Sequence, residues 1–88
     1  MVNYKIVYTK LAVKDIENLK QAGLAAKAKK LVDIVANNPF QNPPPYEKLA
    51  GDLNGLYSRR INIKHRLVYE VFENERTVKI IRMWKHYE

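Results

Sequence analysis

Residues 56–84 read LYSRRINIKHRLVYEVFENERTVKIIRMW, and this stretch decides the fold. Its tyrosine, valine and isoleucine residues recur in three runs separated by short polar segments, a pattern typical of strands joined by tight turns. The predicted strands cover residues 56–62, 65–72 and 77–84. The carboxyl-terminal part of the chain is therefore predicted to form a sheet.

The register of these strands decides which side chains share a face of the sheet. If residues 62–64 and 74–76 each form a three-residue hairpin loop, Arg60 pairs with Arg66, and Trp84 lies opposite Arg66 on the following strand. One face then carries an apolar set, interrupted only by Arg59 and Lys79: Tyr57, Ile61, Leu67, Tyr69, Val71, Ile81 and Met83. The other face carries Ser58, Arg60, Arg66, Arg82 and His86, together with Val68, Phe72, Val78 and Ile80. A slip of one residue in either loop would separate these groups.

The preceding part of the chain has the pattern of a strand followed by two helices. Residues 3–9 alternate as a short strand, and Thr9 can cap a helix over residues 10–22. A second helix is predicted over residues 24–37, and all four prolines then fall within residues 39–45 and predict a stiff, extended connector. This order predicts an α+β fold in which both helices pack on one face of an antiparallel sheet. A chain of 88 residues has room for one such domain, residues 1–88.

Composition restricts the function. With no cysteine and two histidines, the chain offers no disulfide framework, and neither a protein-built metal site nor a bound cofactor is expected. The amino terminus alternates polar and apolar residues, so we expect no signal peptide, no membrane association and a cytoplasmic location. A net charge of +7 favours polyanionic partners such as nucleic acid or an acidic protein.

Basic side chains mark two candidate binding surfaces. Arginines side by side on a sheet repel one another unless an anion lies between them, so Arg60, Arg66 and Arg82 are a candidate phosphate site. The simpler interpretation is a solvated basic face. Lysines on the outward side of the second helix are either solubilising or follow an RNA backbone. They are Lys27, Lys29 and Lys30.

Three residue types suffice for one reaction class. Internal cleavage of RNA needs a base for the ribose 2′-hydroxyl, cations for the charged phosphorane and an acid for the departing 5′-oxygen. Glu47, Arg66 and His86 could supply these functions without a metal ion. Each is open to a simpler interpretation, because a lone histidine or an exposed glutamate is usually a solvated surface residue.

Several segments taken together resemble the Txe/YoeB family of bacterial toxins, within the RelE superfamily of ribosome-dependent mRNA endonucleases. The resemblance rests on Tyr46–Leu49, Leu53–Ile61, His65–Tyr69 and Met83–Tyr87, and the element order extends it over nearly the whole chain. It implies a toxin that enters the ribosomal A site, contacts 16S rRNA and cuts the bound mRNA. A cognate antitoxin protein is the implied partner, and a homodimer is possible.

The resemblance also implies roles for individual residues. Glu47 corresponds to the general base, Arg66 to the phosphate-stabilising arginine and His86 to the general acid, while Arg60 and Tyr87 correspond to positions that bind or orient the phosphate. Family members commonly carry a basic residue at the position of Ala50, and here Lys48 is the candidate substitute. The lysines of the second helix are the expected ribosome-binding residues.

Two other classes of function remain open on the sequence. A toxin-fold binding module that inhibits a topoisomerase, or that occludes the ribosome, has no use for Glu47, Arg66 and His86 as a set. A structural, partner-binding domain predicts no effect on translation at all.

Overall fold

A computed structural model describes residues 3–49 and 55–84 of the chain. The elements are β1 (Lys5–Tyr8), α1 (Lys10–Gln21), α2 (Ala25–Asn37), β2 (Glu47–Lys48), β3 (Leu56–Arg60), β4 (Arg66–Phe72) and β5 (Thr77–Arg82). The predicted α+β fold is confirmed, because two helices follow a first strand and pack with a sheet formed mainly by the later part of the chain.

Both helices begin and end within one residue of the predicted bounds. The Oγ1 atom of Thr9 accepts a hydrogen bond of 3.0 Å from the backbone N–H of Ala12, which caps α1. Gly23 ends α1 in the left-handed region, at a φ of 75° that glycine adopts without strain. Neither helix has the length and apolar composition that crossing a bilayer requires, among the residues that the structure describes.

The sheet has five strands in the order β1-β5-β4-β3-β2. Its β2–β3, β3–β4 and β4–β5 pairs are antiparallel, but β1 and β5 are parallel. The prediction of an antiparallel sheet was therefore wrong for β1. The two helices carry the chain far enough for β1 and β5 to run in the same direction, whereas the strands joined by short turns must reverse.

The predicted hairpin register is confirmed in one loop and wrong in the other. Arg60 pairs with Arg66, as the sequence predicted. In the second hairpin Phe72 pairs with Thr77, so the turn contains four residues, 73–76, and not three. A bulge at Ile81 then shifts the register by one, and Val68 pairs with Arg82. The predicted pair of Arg66 and Trp84 has the same offset as this observed pair. The extra turn residue and the bulge, neither of which was predicted, therefore cancel at this end of the sheet.

The four-residue turn reverses which residues of β5 face the helices, up to the bulge at Ile81. Val78 and Ile80, expected on the outer face, are fully buried in the core, whereas Ile81, expected in the core, is only partly buried. Met83 lies beyond the bulge and is buried in the core as expected. The core joins both helices to the sheet and includes Tyr4, Ala12, Leu19, Ala28, Leu31, Val32, Val35, Ile61, Leu67 and Tyr69.

The proline-rich connector departs from the expected extended form. It turns at residues 39–40 and bends again at residues 43–44. It then leads into β2, a strand of two residues that the sequence pattern did not predict, in which Glu47 pairs with Ser58 of β3.

Candidate active site

A small cleft lies where the connector meets β3 and β4. It has a volume of about 110 Å³. Charged and polar side chains from three strands line it, together with part of the connector: Pro44, Pro45, Tyr46, Glu47, Ser58, Arg60 and Arg66. Strand pairing explains this convergence, because Glu47 pairs with Ser58 and Arg60 pairs with Arg66. The structure thus brings together Glu47, Arg60 and Arg66, three of the residues predicted from the sequence.

Glu47 and Arg66 are in direct contact. The Oε1 atom of Glu47 lies 3.1 Å from the Nη1 atom of Arg66, and the same Nη1 donates a 3.1 Å hydrogen bond to the hydroxyl of Ser58. The Arg66 side chain is 18% exposed and the Glu47 side chain 61%. Arg66 is therefore held by the sheet, while the carboxylate remains open to solvent and to a ligand.

Two guanidinium groups lie side by side at this cleft. Arg60 and Arg66 are directly opposite on β3 and β4, a position at which like charges repel. Among the described residues, no carboxylate pairs with Arg60, and Glu47 alone pairs with Arg66. An anion between the two guanidiniums would relieve the repulsion, and phosphate matches their planar donors.

Two predicted substrate-binding residues lie elsewhere. Lys48 pairs with Tyr57, and because side chains alternate along a strand it lies on the face of β2 opposite to Glu47. Arg82 forms hydrogen bonds of 2.8 and 3.0 Å to the carboxylate of Asp15, which is 2% exposed. Substrate binding by Lys48 and Arg82 stays a prediction. Unlike Arg60, neither residue lines the cleft.

The Asp15 carboxylate is held ionised by its partners. Its burial raises the pKa, but hydrogen bonds from Arg82 and from the backbone N–H groups of Met83 and Trp84 outweigh this effect, and the pKa lies below its usual range.

The predicted acid, His86, and Tyr87 lie outside the described residues, as does Ala50. Trp84, the last described residue, lies two positions after the end of β5. Its ring stacks on that of His65, with centroids 3.8 Å apart and planes inclined by 17°. The Nδ1 atom of His65 is also hydrogen-bonded to the Trp84 carbonyl oxygen, so the start of the carboxyl-terminal segment is held beside the first residue before β4.

Arg59 is the contributor to this region that sequence reasoning missed. The sequence pattern places it as an interruption of the apolar face, yet it is 1% exposed and its guanidinium binds the connector that leads to Glu47. No motif marks this role, because the partners are backbone carbonyls from a distant part of the chain.

The remaining predicted residues lie on α2. Lys27, Lys29 and Lys30 are all exposed, as expected, and Lys29 contacts Asp33 at 3.4 Å on the same helix. Within residues 3–49 and 55–84, no cluster of histidine and carboxylate side chains has the composition of a metal site.

A larger cavity, of about 320 Å³, lies between the two helices. Its lining is mainly apolar, with Leu19, Val32 and Met83 among its walls, and Lys29 is the one residue of the predicted site that contributes to it. Its charged lining residues are Lys20, Lys29 and Asp33, and neither Glu47 nor Arg66 lines it, so the cleft at Glu47 is the candidate active site.

The comparison with known proteins agrees with the observed fold. A model of the YoeB-like toxin of bacterial type II toxin-antitoxin systems matches residues 8–87. The chain belongs to this family. The resemblance predicted from the sequence is thereby confirmed.

Individual YoeB relatives match over nearly their full length. The toxin YoeB of Synechocystis sp. is 35% identical over 86 residues, which are 96% of this chain and 98% of that toxin. A YoeB/ParE toxin from Agrobacterium tumefaciens superimposes with a TM-score of 0.85 at 32% identity, over 94% of this chain and 99% of that one. A chain of the YoeB-YefM complex from Staphylococcus aureus gives a TM-score of 0.79 at 33% identity, over 96% and 98% of the two chains.

Proposed function

We propose that this YoeB-family toxin is an endoribonuclease that cleaves mRNA in the A site of the ribosome by general acid–base catalysis. The observation that carries the proposal is the contact between Glu47 and Arg66, 3.1 Å apart, in a cleft that Arg60 also lines. The Glu47 carboxylate can act as a base, and the neighbouring guanidiniums can bind phosphate in the same cleft. With His86 as the acid, the proposed cleavage needs no metal ion.

In the proposed reaction Glu47 takes the proton of a ribose 2′-hydroxyl, and the 2′-oxygen attacks the adjacent phosphorus. A new bond forms between phosphorus and the 2′-oxygen, while the bond from phosphorus to the 5′-oxygen breaks. His86 gives a proton to the departing 5′-oxygen. The products are a 2′,3′-cyclic phosphate and a 5′-hydroxyl, and proton exchange with solvent restores the two residues.

The arginines stabilise the charge that develops on the phosphorane. Arg66 uses Nη1 for Ser58 and Glu47, and its Nε and Nη2 atoms have no hydrogen-bond partner among the described residues. These nitrogens are the natural donors to a non-bridging phosphate oxygen. Arg60, exposed and directly opposite, can bind a second oxygen or the next phosphate.

Tyr87 and Lys48 complete the proposed substrate-binding set. Tyr87 follows the acid directly in sequence and would orient the same phosphate. Lys48, on the other face of β2, would contact the message away from the scissile bond.

The partners follow from charge. Lys27, Lys29 and Lys30 form an exposed basic helix face that would bind ribosomal RNA, and action on translating ribosomes places the toxin in the bacterial cytoplasm. The net charge of +7 also suits an acidic antitoxin segment. A cognate antitoxin is supported by the Staphylococcus aureus relative, which forms a YoeB-YefM toxin-antitoxin complex.

The test is to map mRNA ends in a purified translation system. Wild-type toxin should produce new 5′ ends inside the A-site codon, and Glu47→Gln should lower the cleavage rate on the order of 10²–10⁴-fold. Glu70→Gln is the matched control, since Glu70 lies on the same face of the sheet but pairs with Leu56 and Lys79, away from the cleft. Translation arrest with intact message would contradict the proposal and favour occlusion of the ribosome.

A further inference from the structure

Arg59 is a buried cation without an anionic partner in the described part of the chain. Its side chain is 1% exposed, and none of the ion pairs among residues 3–49 and 55–84 includes it. Burying an unpaired charge is costly, which is why such groups are usually paired, as Arg82 is with Asp15. Neutral acceptors must therefore satisfy the Arg59 guanidinium.

The connector supplies most of these acceptors. Nη1 of Arg59 donates to the Pro44 carbonyl oxygen at 2.6 Å, and Nη2 donates to the carbonyl oxygens of Pro39 and Gln41 at 3.0 and 2.9 Å. Nε donates to the Tyr69 hydroxyl at 3.1 Å, and that hydroxyl in turn donates to the Pro39 carbonyl oxygen at 2.7 Å. One planar fork of donors thus gathers three backbone carbonyls of a seven-residue segment.

Aromatic rings also pack around the Arg59 guanidinium. The Arg59 Cζ atom lies 5.0 Å from the ring centroid of Tyr46, the residue directly before Glu47. The same ring lies 5.9 Å from that of Tyr57, edge to face, and the ring of Phe40 lies 5.2 Å from that of Tyr57. Both ends of the connector are therefore held against the core side of β3.

Strand alternation links this anchor to the cleft. Arg59 lies on β3 between Ser58 and Arg60, and its side chain projects to the core face while theirs line the cleft. Arg59 binds the connector on the core face of the sheet. The connector then continues into β2, which pairs with β3 and places Glu47 opposite Ser58. The position of the carboxylate relative to Arg66 thus depends on how the connector is held.

We infer that Arg59 is a positioning residue, which sets the place of the Glu47 carboxylate beside Arg66 by holding three backbone carbonyls within residues 39–44. The inference rests on the proposed function, since it assigns Arg59 to the delivery of the general base. Lysine cannot replace it, because a single ammonium cannot reach carbonyls in three directions with the geometry of a planar fork.

The test is single-turnover cleavage on ribosomes with a defined A-site codon. Arg59→Lys keeps the charge and removes the fork, and we expect the cleavage rate at saturation to fall on the order of 10²-fold while the half-saturating toxin concentration changes less than about twofold. Arg76→Lys is the matched control, because Arg76 is exposed and contacts the Tyr4 ring at 4.5 Å, away from the connector.

A second variant serves if Arg59→Lys does not fold. Tyr69→Phe keeps the ring and removes the hydroxyl that joins Arg59 to Pro39, so it should lower the same rate by a smaller factor. Circular dichroism and thermal melting establish that each variant is folded before its rate is measured.

A double-mutant cycle separates positioning from general stabilisation. In the Glu47→Gln background, where no base remains to be positioned, Arg59→Lys and Tyr69→Phe should cause no further loss. An equal loss in both backgrounds would overturn the inference, as would full activity of folded Arg59→Lys and Tyr69→Phe proteins. If Glu47→Gln itself cleaved normally, the proposed function would fail first, and the two failures are thus distinguishable.

Discussion

Asp15 and Arg82 are joined by two hydrogen bonds, of 2.8 and 3.0 Å, although they lie on the first helix and the last strand. The same carboxylate accepts a 2.9 Å hydrogen bond from the backbone N–H of Met83. The pair therefore anchors the end of β5 to α1, at the point where the chain continues toward His86. It is the most buried ion pair among residues 3–49 and 55–84.

The first prediction concerns the stability that this pair contributes. Asp15→Asn removes the carboxylate charge that pairs with Arg82 in a largely buried position, so we expect the free energy of unfolding to fall by about 3 kcal/mol. Urea unfolding at pH 7 measures this. Asp33→Asn is a matched control, because its contact with Lys29 is exposed and should change stability by less than about 0.5 kcal/mol. Equal effects of the two substitutions would contradict the assignment.

The second prediction concerns the loss of stability at low pH. Because the pKa of Asp15 is lowered in the folded protein, the unfolded chain binds the proton more tightly, at a pKa of about 3.9. The stability from this group is complete above that value and is lost as pH falls through the folded pKa. Urea unfolding between pH 5 and pH 2 should therefore show a shallower decline for Asp15→Asn than for the wild type. Parallel curves would show that Asp15 does not titrate as described.

The third prediction concerns the contact that directs the carboxyl-terminal segment. His65→Phe preserves stacking on Trp84 but removes the hydrogen bond to its carbonyl oxygen, so the free energy of unfolding should fall by about 1 kcal/mol. His65→Ala removes both contacts and should cost about 1 kcal/mol more. Thermal unfolding of the two variants is the measurement, and a His65→Phe protein as stable as wild type would show that the hydrogen bond contributes nothing.

The fourth prediction concerns the lysines of α2. Reversing Lys27, Lys29 and Lys30 to glutamate should weaken ribosome binding and make it less dependent on salt, since fewer counterions are released. The matched control reverses Lys10, Lys14 and Lys20, the exposed lysines of α1, so that each triple variant lowers the net charge from +7 to +1. Sedimentation with ribosomes at several salt concentrations compares them. Equal weakening by both would assign the effect to net charge and not to α2.

Much of the fold could be predicted because local patterns specify it. The cap at Thr9, the glycine after α1 and the three β-rich runs each act within a few residues, and the pairing of Arg60 with Arg66 follows from one short loop. Long-range features could not be predicted in this way. The parallel pairing of β1 with β5 joins segments that two helices separate, and β2 has only two residues, so no local pattern marks either feature.

The second hairpin illustrates the other limit. A period of two assigns every residue of β5 to a face, but the extra residue in the turn at residues 73–76 reverses the assignment, so Val78 and Ile80 are core residues. The bulge at Ile81 then restores it for Met83. The candidate site depended less on this error, because Glu47, Arg60 and Arg66 lie on the β2–β3–β4 side of the sheet. Arg59 could not be assigned a role from the sequence, since its partners are backbone carbonyls, which have no sequence signature.

In the proposed reaction, Glu47 and Arg66 act on a ribose 2′-hydroxyl and its neighbouring phosphate. The most direct test gives the toxin ribosomes whose A-site codon carries a single 2′-deoxy nucleotide on the 5′ side of the scissile bond. We predict that the all-ribose message is cut to a 2′,3′-cyclic phosphate and a 5′-hydroxyl, while the 2′-deoxy message stays intact at that position. Cleavage of both messages at the same rate would contradict the claim.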